Sequence, residues 1–304
     1  MKKIIGLLLA VTMMFALGGC NAITIDGEGE LSGENSGSGA VGFSVSTLNN
    51  PFFVSLSEGA KAEAEKQGVK LVVVDAGDDA AKQTNDIEDL ISRNVSVLIV
   101  NPVDSDAVAP AVQNAVSKGI KVISVDRVVN GVEVDCQIAS DNAAGAKMAT
   151  EYLVELIGEG AKAAELEGVP GASATIDRGA GFHDAADTAL DVVASQTANF
   201  NRAEGMNVME NILQSCPEVK GVFAHNDEMA LGAVEAVLAS GKDIKIVGFD
   251  ATDDAVAAVK SGKMAATVAQ KPELMGETAV QTAMKLINGE TVEKSLPVEV
   301  ELIK

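Results

Sequence analysis

From residue 40 onward, short runs rich in Val and Ile alternate with longer stretches that have a helical pattern. The runs include "AVGFSVST", "VSVLIVNPV" and "IKIVGFDA", and most of the helical stretches end at Gly or Asn, as helices commonly do. Near-continuous apolar runs indicate strands buried on both faces of a parallel sheet, and their alternation with helices indicates βαβ units. About ten such strands are more than one ordinary sheet holds. The sequence therefore predicts an α/β fold with two Rossmann-like, parallel-sheet lobes.

The N-terminal twenty residues have the pattern of an export signal. "MKK" is basic, an apolar run of fourteen residues follows in "IIGLLLAVTMMFAL", and small residues precede Cys20. A run of this length is short for a membrane span, so we expect a signal peptide over residues 1–19 that is removed. Its ending resembles a lipobox, the signal for lipoprotein processing, which implies a lipid on Cys20 of the mature chain. A plain signal peptide with an incidental Cys is the alternative.

Residues 20–39 are rich in Gly, Ser and acidic residues, and this composition predicts a flexible tether. A flexible stretch of this length has an average reach of roughly 25 Å. We therefore expect an extracytoplasmic globular part, held at the outer face of the cell membrane by the lipid on Cys20. We expect no other contact with the membrane.

The sequence is strongly acidic, with a formal net charge of −21. An acidic surface repels phosphate backbones, so we expect no nucleic-acid partner. The two His residues, His183 and His225, do not form a zinc-binding spacing, and we expect neither a metal nor a cofactor. The spacing of Cys136 and Cys216 does not pair them, so both are expected to be unpaired.

Aromatic and polar side chains follow several predicted strands, at the edge where open parallel sheets bind ligands. The chain is poor in aromatic residues, yet Phe52 and Phe53 are adjacent in "NNPFF". Aromatic rings can pack on the C–H faces of a sugar, while carboxylate, guanidinium and amide groups bind its hydroxyls. The other candidates at strand ends are Asn50, Asp126, Arg127, Arg178, Phe200, Asn226, Phe249, Asp250 and Gln270. A lone Asn or Asp is more often a helix cap, and Asn142 and Asp227 could be nothing more than caps.

Several segments resemble the ribose-binding members of the type I periplasmic-type solute-binding proteins, which serve ABC importers. The segments are "STLNNPFFVSL", "NPVDSDAV", "ISVDR", "IASDN", "HNDEMALGA", "VGFD" and "AATVAQ". The resemblance runs from about residue 41 to the end of the chain. It implies that D-ribose binds at Asn50, Phe52, Phe53, Asp126, Arg127, Arg178, Phe200, Asn226, Phe249, Asp250 and Gln270. The nearest departure is His225, where the family pattern has Gln.

The same resemblance implies two discontinuous lobes that close on the sugar. One lobe is expected over residues 41–140 with 271–299, and the other over residues 141–270 with 300–304. A three-segment hinge is expected near Ser140, Gln270 and Val300. Closure about such a hinge hides a ligand between the lobes. The implied partners are D-ribose and the permease subunits of an ABC transporter, with a chemoreceptor as a further candidate, and the protein is expected to be a monomer.

Three alternatives remain open at the level of sequence. The same fold could bind another pentose, allose, galactose or a furanose-like signal molecule, although the chain lacks the Trp and the D-x-N-x-D calcium pattern of the glucose and galactose members. A sugar-responsive repressor shares the two-lobed core but needs a helix-turn-helix ahead of it, where this chain has an export signal. An enzyme is disfavoured because the chain has no P-loop Lys, no G-x-S-x-G elbow, and no G-x-G-x-x-G after a strand.

Overall fold

The structure is a computed structural model that describes residues 39–304. Residues 1–38, with the predicted export signal, Cys20 and most of the predicted tether, lie outside the described residues. The described part forms two six-stranded sheets with helices on both faces of each, which confirms the predicted α/β fold with two lobes.

The first sheet has the strand order β11-β5-β4-β3-β1-β2, and all of its neighbours pair in parallel. Its strands are β1 (Val41–Val45), β2 (Leu71–Asp75), β3 (Val97–Val100), β4 (Lys121–Val125), β5 (Cys136–Ser140) and β11 (Ser295–Val298). The helices that flank it are α1 (Pro51–Gln67), α2 (Ala80–Ser92), α3 (Ala109–Ser117) and α9 (Pro272–Ile287). We call this sheet with these helices the first lobe.

The second sheet has the order β12-β10-β9-β8-β6-β7 and is parallel except for β12, which pairs antiparallel to β10. Its strands are β6 (Lys162–Glu167), β7 (Asp191–Thr197), β8 (Gly221–Ala224), β9 (Lys245–Asp250), β10 (Ala266–Ala269) and β12 (Glu301–Ile303). The flanking helices are α4 (Asn142–Ile157), α5 (Ser173–Ala189), α6 (Arg202–Ser215), α7 (Asp227–Ser240) and α8 (Asp253–Lys260). This sheet with these helices is the second lobe.

The strands are apolar throughout because helices cover both of their faces. In β3, Val97 and Ile99 join the cluster formed with α1 and α9, whereas Leu98 and Val100 join the cluster formed with α2 and α3. Successive side chains of a strand point to opposite faces, so a continuous "VLIV" run fills two cores at once. The continuous apolar runs of the sequence therefore read correctly as parallel strands.

The last predicted strand, near "PVEVELI", is in fact two strands in two different sheets. The chain completes the first sheet with β11, crosses at Glu299 and Val300, and adds β12 to the edge of the second sheet. Residue-by-residue apolarity does not reveal such a crossing, because both short strands carry similar side chains.

The two Cys residues of the described part are free, as predicted: Cys136 is buried in β5, and Cys216 is partly buried at the end of α6. The helices in residues 39–304 do not include one with the length and apolarity needed to cross a membrane.

Candidate functional site

The carboxyl ends of the strands in both lobes face one small cavity. The space between its lining residues is about 240 Å³, a volume that includes the part open to solvent. All predicted site residues except Phe249 line it, and Ala174 joins them: the lining is Asn50, Phe52, Phe53, Asp126, Arg127, Ala174, Arg178, Phe200, Asn226, Asp250 and Gln270. A cavity lined by residues of both lobes suits a small molecule that contacts both.

The adjacent Phe residues are placed by the start of α1. Asn50 has an extended backbone, and its Oδ1 accepts a hydrogen bond from the Phe52 N–H at 2.9 Å. Pro51 then occupies the first helical position, so Phe52 and Phe53 fall in the first turn of the helix. Their rings meet edge to face with centroids 5.1 Å apart, and each residue is only 4% exposed. The pair therefore forms an apolar wall of the cavity.

Arg127 ties the two lobes together through aromatic contacts. Its guanidinium carbon lies 5.1 Å from the ring centroid of Phe53 in the first lobe and 5.4 Å from that of Phe200 in the second. Cation–π contacts of this kind strengthen when the cation is removed from water. The Nη1 of Arg127 also donates to the Pro102 carbonyl at 2.8 Å, which fixes the guanidinium in place. Neighbouring Asp126 is held by Asn101, whose Nδ2 donates to Asp126 Oδ2 at 3.2 Å.

Arg178 is the corresponding cation of the second lobe. It projects from α5, and its Nε donates to Asn142 Oδ1 at 2.8 Å. The guanidinium carbon lies 3.9 Å from the ring centroid of Phe249, so Phe249 supports Arg178 from behind and does not line the cavity. Arg178 Nη1 is 3.8 Å from Asp250 Oδ1, which also accepts a hydrogen bond from Gln270 Nε2 at 2.7 Å.

Burial perturbs the ionisation of these four charged groups. It raises the pKa of Asp126 and raises that of Asp250 well above its ordinary value, although the Arg residues oppose the shift. Burial also lowers the pKa of Arg127 and Arg178, against the attraction of the two carboxylates. Shifts in these directions mean that charged groups lie out of water without full compensation from one another.

Three polar atoms at the cavity are buried and have no hydrogen-bond partner among the described residues: Asp126 Oδ1, Arg127 Nε and Gln270 Oε1. Such an atom ordinarily costs about 1–3 kcal/mol, so native structures rarely leave several in one place. Two of them accept and one donates, which is the combination that a polyhydroxylated molecule can satisfy, since each hydroxyl does both.

The backbone is also strained at this cavity. Asp126 (φ 64°), Phe200 (φ 56°) and Asp250 (φ 129°) have positive φ values, which non-glycine residues rarely adopt. Strained conformations of this kind cluster at ligand sites, where the surrounding structure enforces them. Asp126 and Phe200 lie just beyond a strand, Asp250 is the last residue of β9, and all three line the cavity.

Hydrogen bonds join the two lobes beside the cavity. Ser105 N donates to the Gly171 carbonyl at 3.1 Å, and Ser173 N donates to Ser105 Oγ at 3.2 Å. Val128 N in turn donates to Ser173 Oγ at 3.0 Å. Because Ser105 and Val128 belong to the first lobe and Gly171 and Ser173 lie in the second, the structure has its lobes closed on each other.

Two residues interpreted from sequence as caps have other roles. The N-cap of α4 is Asp141, while Asn142 receives the Arg178 hydrogen bond and so supports the site. Asp227 follows the true cap of α7, Asn226, and its buried carboxylate accepts from Thr252 N at 2.8 Å and Thr267 Oγ1 at 2.7 Å. It braces the second lobe and does not reach the cavity.

A buried acid behind the site was not predicted either. Glu165 in β6 is fully buried; its Oε1 lies 2.9 Å from His225 Nε2, and its Oε2 accepts from Ser195 Oγ at 2.7 Å. His183, which is partly exposed on α5, places Nε2 3.3 Å from Glu165 Oε2 and Nδ1 2.8 Å from Asp187 Oδ1. An acidic residue inside an apolar strand ("AAELEG") is the sequence signal that could have indicated it.

The comparisons with known proteins agree with this geometry. The family model described as "Periplasmic binding protein domain" matches residues 41–291. The chain belongs to the periplasmic binding protein family. Among its relatives, the ribose import binding protein RbsB of Bacillus subtilis is 47% identical over 302 residues, covering 99% of this chain and 99% of the relative. The ribose import binding protein RbsB of Escherichia coli is 49% identical over 261 residues, covering 85% of this chain and 88% of the relative.

Among solved structures, the myo-inositol binding protein of Caulobacter, with myo-inositol bound, aligns with a TM-score of 0.85. It is 35% identical, and the alignment covers 89% of this chain and 94% of that one. The two-lobed architecture of this chain is thus the type I periplasmic binding protein fold.

The His183–Glu165 contact predicts a pH-dependent contribution to stability. Burial alone would lower the pKa of His183, but its hydrogen bond to Asp187 and the charge of Glu165 outweigh burial and raise the pKa above 6.5. The stabilisation is then fully present below about pH 6.5 and is lost as pH rises through the folded-state pKa. The His183→Gln variant should therefore lose more free energy of unfolding at about pH 6 than at about pH 8.5, as measured by urea denaturation. A difference that stays constant or grows with pH would contradict this assignment.

Proposed function

We propose that this protein is an extracytoplasmic solute-binding lipoprotein that captures D-ribose between its two lobes and delivers it to an ABC permease. The observation that carries the proposal is the cavity between the two lobes, where Asp126 Oδ1, Arg127 Nε and Gln270 Oε1 have no hydrogen-bond partner among the described residues and lie beside aromatic rings from both lobes. Relatives named as ribose import binding proteins, at 47–49% identity over most of the chain, support the choice of sugar.

Each group has a role that suits a pentose. The rings of Phe52, Phe53 and Phe200 would pack against the C–H faces of the sugar, and the Asp126 and Asp250 carboxylates would accept from its hydroxyls. Arg127 and Arg178 would donate to hydroxyl oxygens, and Asn50, Asn226 and Gln270 would complete the hydrogen bonds. Phe249 would act from behind, by holding the Arg178 guanidinium in position.

We propose that binding is coupled to closure of the lobes. The lobe boundaries are residues 41–140 with 271–299 and residues 141–270 with 300–304, and the hinge lies near Ser140, Gln270 and Val300. The sugar contacts both lobes only when they are closed, so it binds that state better and shifts the population towards it. The permease subunits would then receive the closed, loaded form.

A related ligand is the second candidate. The structural relative that holds myo-inositol shows that this fold accepts a six-membered polyol, and another pentose, allose or a furanose-like signal molecule would offer similar hydroxyls. Relatives named as import binding proteins support a role in binding rather than catalysis, and the proposed protein is a binder.

A sugar panel tests the choice of ligand. Isothermal titration and thermal melting with D-ribose, D-xylose, D-allose, D-galactose and myo-inositol should show the tightest binding for D-ribose. A ligand at about 100 times its Kd stabilises the folded state by about 2.7 kcal/mol, so the melting temperature should rise clearly. Strong stabilisation by another sugar with none from D-ribose would assign the protein to that sugar instead.

The Arg178→Ala variant tests the site. It removes the guanidinium that packs on Phe249 and leaves Asp250 and the sugar hydroxyls short of a donor in a closed cleft. Binding should weaken by about 2–3 kcal/mol or more. The control is Arg93→Ala, because Arg93 is an exposed residue of the first lobe whose ion pair, within residues 39–304, is with Asp89. Unchanged affinity in Arg178→Ala would remove Arg178 from the site.

The Ser105→Ala variant tests closure without altering the cavity lining. It removes the hydroxyl that accepts from Ser173 N, so the closed state should lose about 0.5–1.5 kcal/mol relative to the open state. D-ribose affinity should fall by roughly two- to twelvefold, and small-angle scattering of the sugar-free protein should show a larger mean radius. The Ser92→Ala control removes only a bond within α2. Equal affinities in the two variants would count against the closure proposal.

The Cys20→Ala variant tests the proposed lipid anchor. If Cys20 carries the lipid, the variant should move from the membrane fraction to the soluble fraction of fractionated cells, because one signal for stable anchoring is lost. Cys216→Ala is the matched control and should stay with the membrane. Membrane retention of the Cys20 variant would refute lipid anchoring.

A further inference from the structure

His225 lies directly behind the candidate site and is fully buried. It follows β8, and its ring does not line the cavity. The ring Nε2 is 2.9 Å from Glu165 Oε1, and Nδ1 lies 3.4 Å from Gly168 N. A neutral imidazole with its proton on Nε2 satisfies both contacts, since it donates to the carboxylate and accepts from the Gly168 N–H. Burial lowers the pKa of His225, which agrees with a neutral ring.

Gly168 connects this ring to an aromatic wall of the cavity. A Cβ at Gly168 would lie 2.0 Å from Phe200 Cζ, so the Phe200 ring rests directly on the Gly168 backbone. The Gly168 carbonyl also accepts from Thr197 Oγ1 at 2.7 Å, at the end of the strand that leads to Phe200. The position of Gly168 therefore sets how far the Phe200 ring reaches into the cavity.

The main chain of His225 acts on a second cavity residue. Its carbonyl accepts from Arg178 Nη1 at 2.5 Å, and the next residue, Asn226, itself lines the cavity. Phe200 and Arg178 come from different elements of the second lobe and meet at 5.9 Å between guanidinium carbon and ring centroid. His225 thus contacts Arg178 directly through its carbonyl and reaches Phe200 indirectly, through the contact of its ring with Gly168.

We propose that His225 is a positioning residue for sugar binding, with Glu165 fixing its tautomer and Gly168 transmitting its position to Phe200. The inference rests on the proposed function and adds to it a residue behind the cavity lining. The ring fixes the backbone at Gly168, on which the Phe200 ring packs, so that Phe200 can cover the sugar. The carbonyl holds the Arg178 guanidinium where it can donate to the sugar hydroxyls.

The test compares two substitutions of similar bulk, His225→Gln and His225→Leu, by calorimetric titration with the sugar that binds the wild type best. A Gln amide can donate to Glu165 and accept from Gly168, whereas Leu can do neither. His225→Leu should weaken binding by about tenfold or more, and His225→Gln should stay within about threefold of the wild type. His183→Gln is the control and should bind like the wild type at about pH 8, because His183 touches Glu165 but neither Gly168 nor Arg178.

A double-mutant cycle separates positioning from general destabilisation. If His225 acts through Phe200, the loss caused by His225→Leu should be several-fold smaller in a Phe200→Leu background than in the wild type. If His225→Leu does not fold, Gly168→Ala tests the same link, because its Cβ would displace the Phe200 ring; it should weaken binding at least tenfold. Three outcomes would each overturn the inference. The first is that the losses from His225→Leu and Phe200→Leu combine independently in the cycle. The others are a His225→Gln variant that binds as weakly as His225→Leu, and a Gly168→Ala variant that binds like the wild type.

The two proposals fail in different ways. The wild-type sugar panel alone decides the ligand, so a preference for another sugar would overturn ribose and leave the His225 comparison to be made with that sugar. Tight ribose binding with equal affinities in all His225 and Gly168 variants would uphold the proposed function and overturn the positioning role.

Discussion

The structure depends on the burial of two carboxylates and two guanidiniums where the lobes meet. Asp126 and Arg127 come from the first lobe, and Arg178 and Asp250 come from the second. None of the pairs is in close contact, since the nearest charged atoms are 3.6 Å and 3.8 Å apart. Separated charges in a cleft are poorly compensated by one another, and burial accordingly shifts the pKa of all four groups away from the charged form.

The parallel sheets explain why these groups meet. In each lobe the parallel strands end at the same edge, and several of the loops beyond them carry a polar or aromatic residue towards the next helix. Helix starts then fix the details: Asn50 and Asn226 each use their side chain to cap a helix and leave an amide group at the cavity. The residues with positive φ, Asp126, Phe200 and Asp250, are the places where the backbone turns sharply enough to aim a side chain into the gap.

The sequence predicted the fold and the cavity lining well, because both leave local signals. Apolar runs mark the strands, and rare Phe residues beside amides mark the cavity. The supporting residues left weaker signals. Asn101, Asn142 and Glu165 act on site residues that are distant in sequence, so only the folded chain shows which side chain each one meets. Phe249 was predicted to line the cavity because it lies near the end of a strand. It packs instead on the Arg178 guanidinium, a contact between residues distant in sequence that the sequence does not reveal.

The crossing from β11 to β12 has a consequence for the integrity of the whole molecule. The final ten residues supply an outer strand to each sheet, with only Glu299 and Val300 between the two. Proteolytic trimming of this short tail would uncover the margins of both halves together. Neither half comes from one continuous stretch of sequence, so a change within residues 295–303 alters the edge of both sheets.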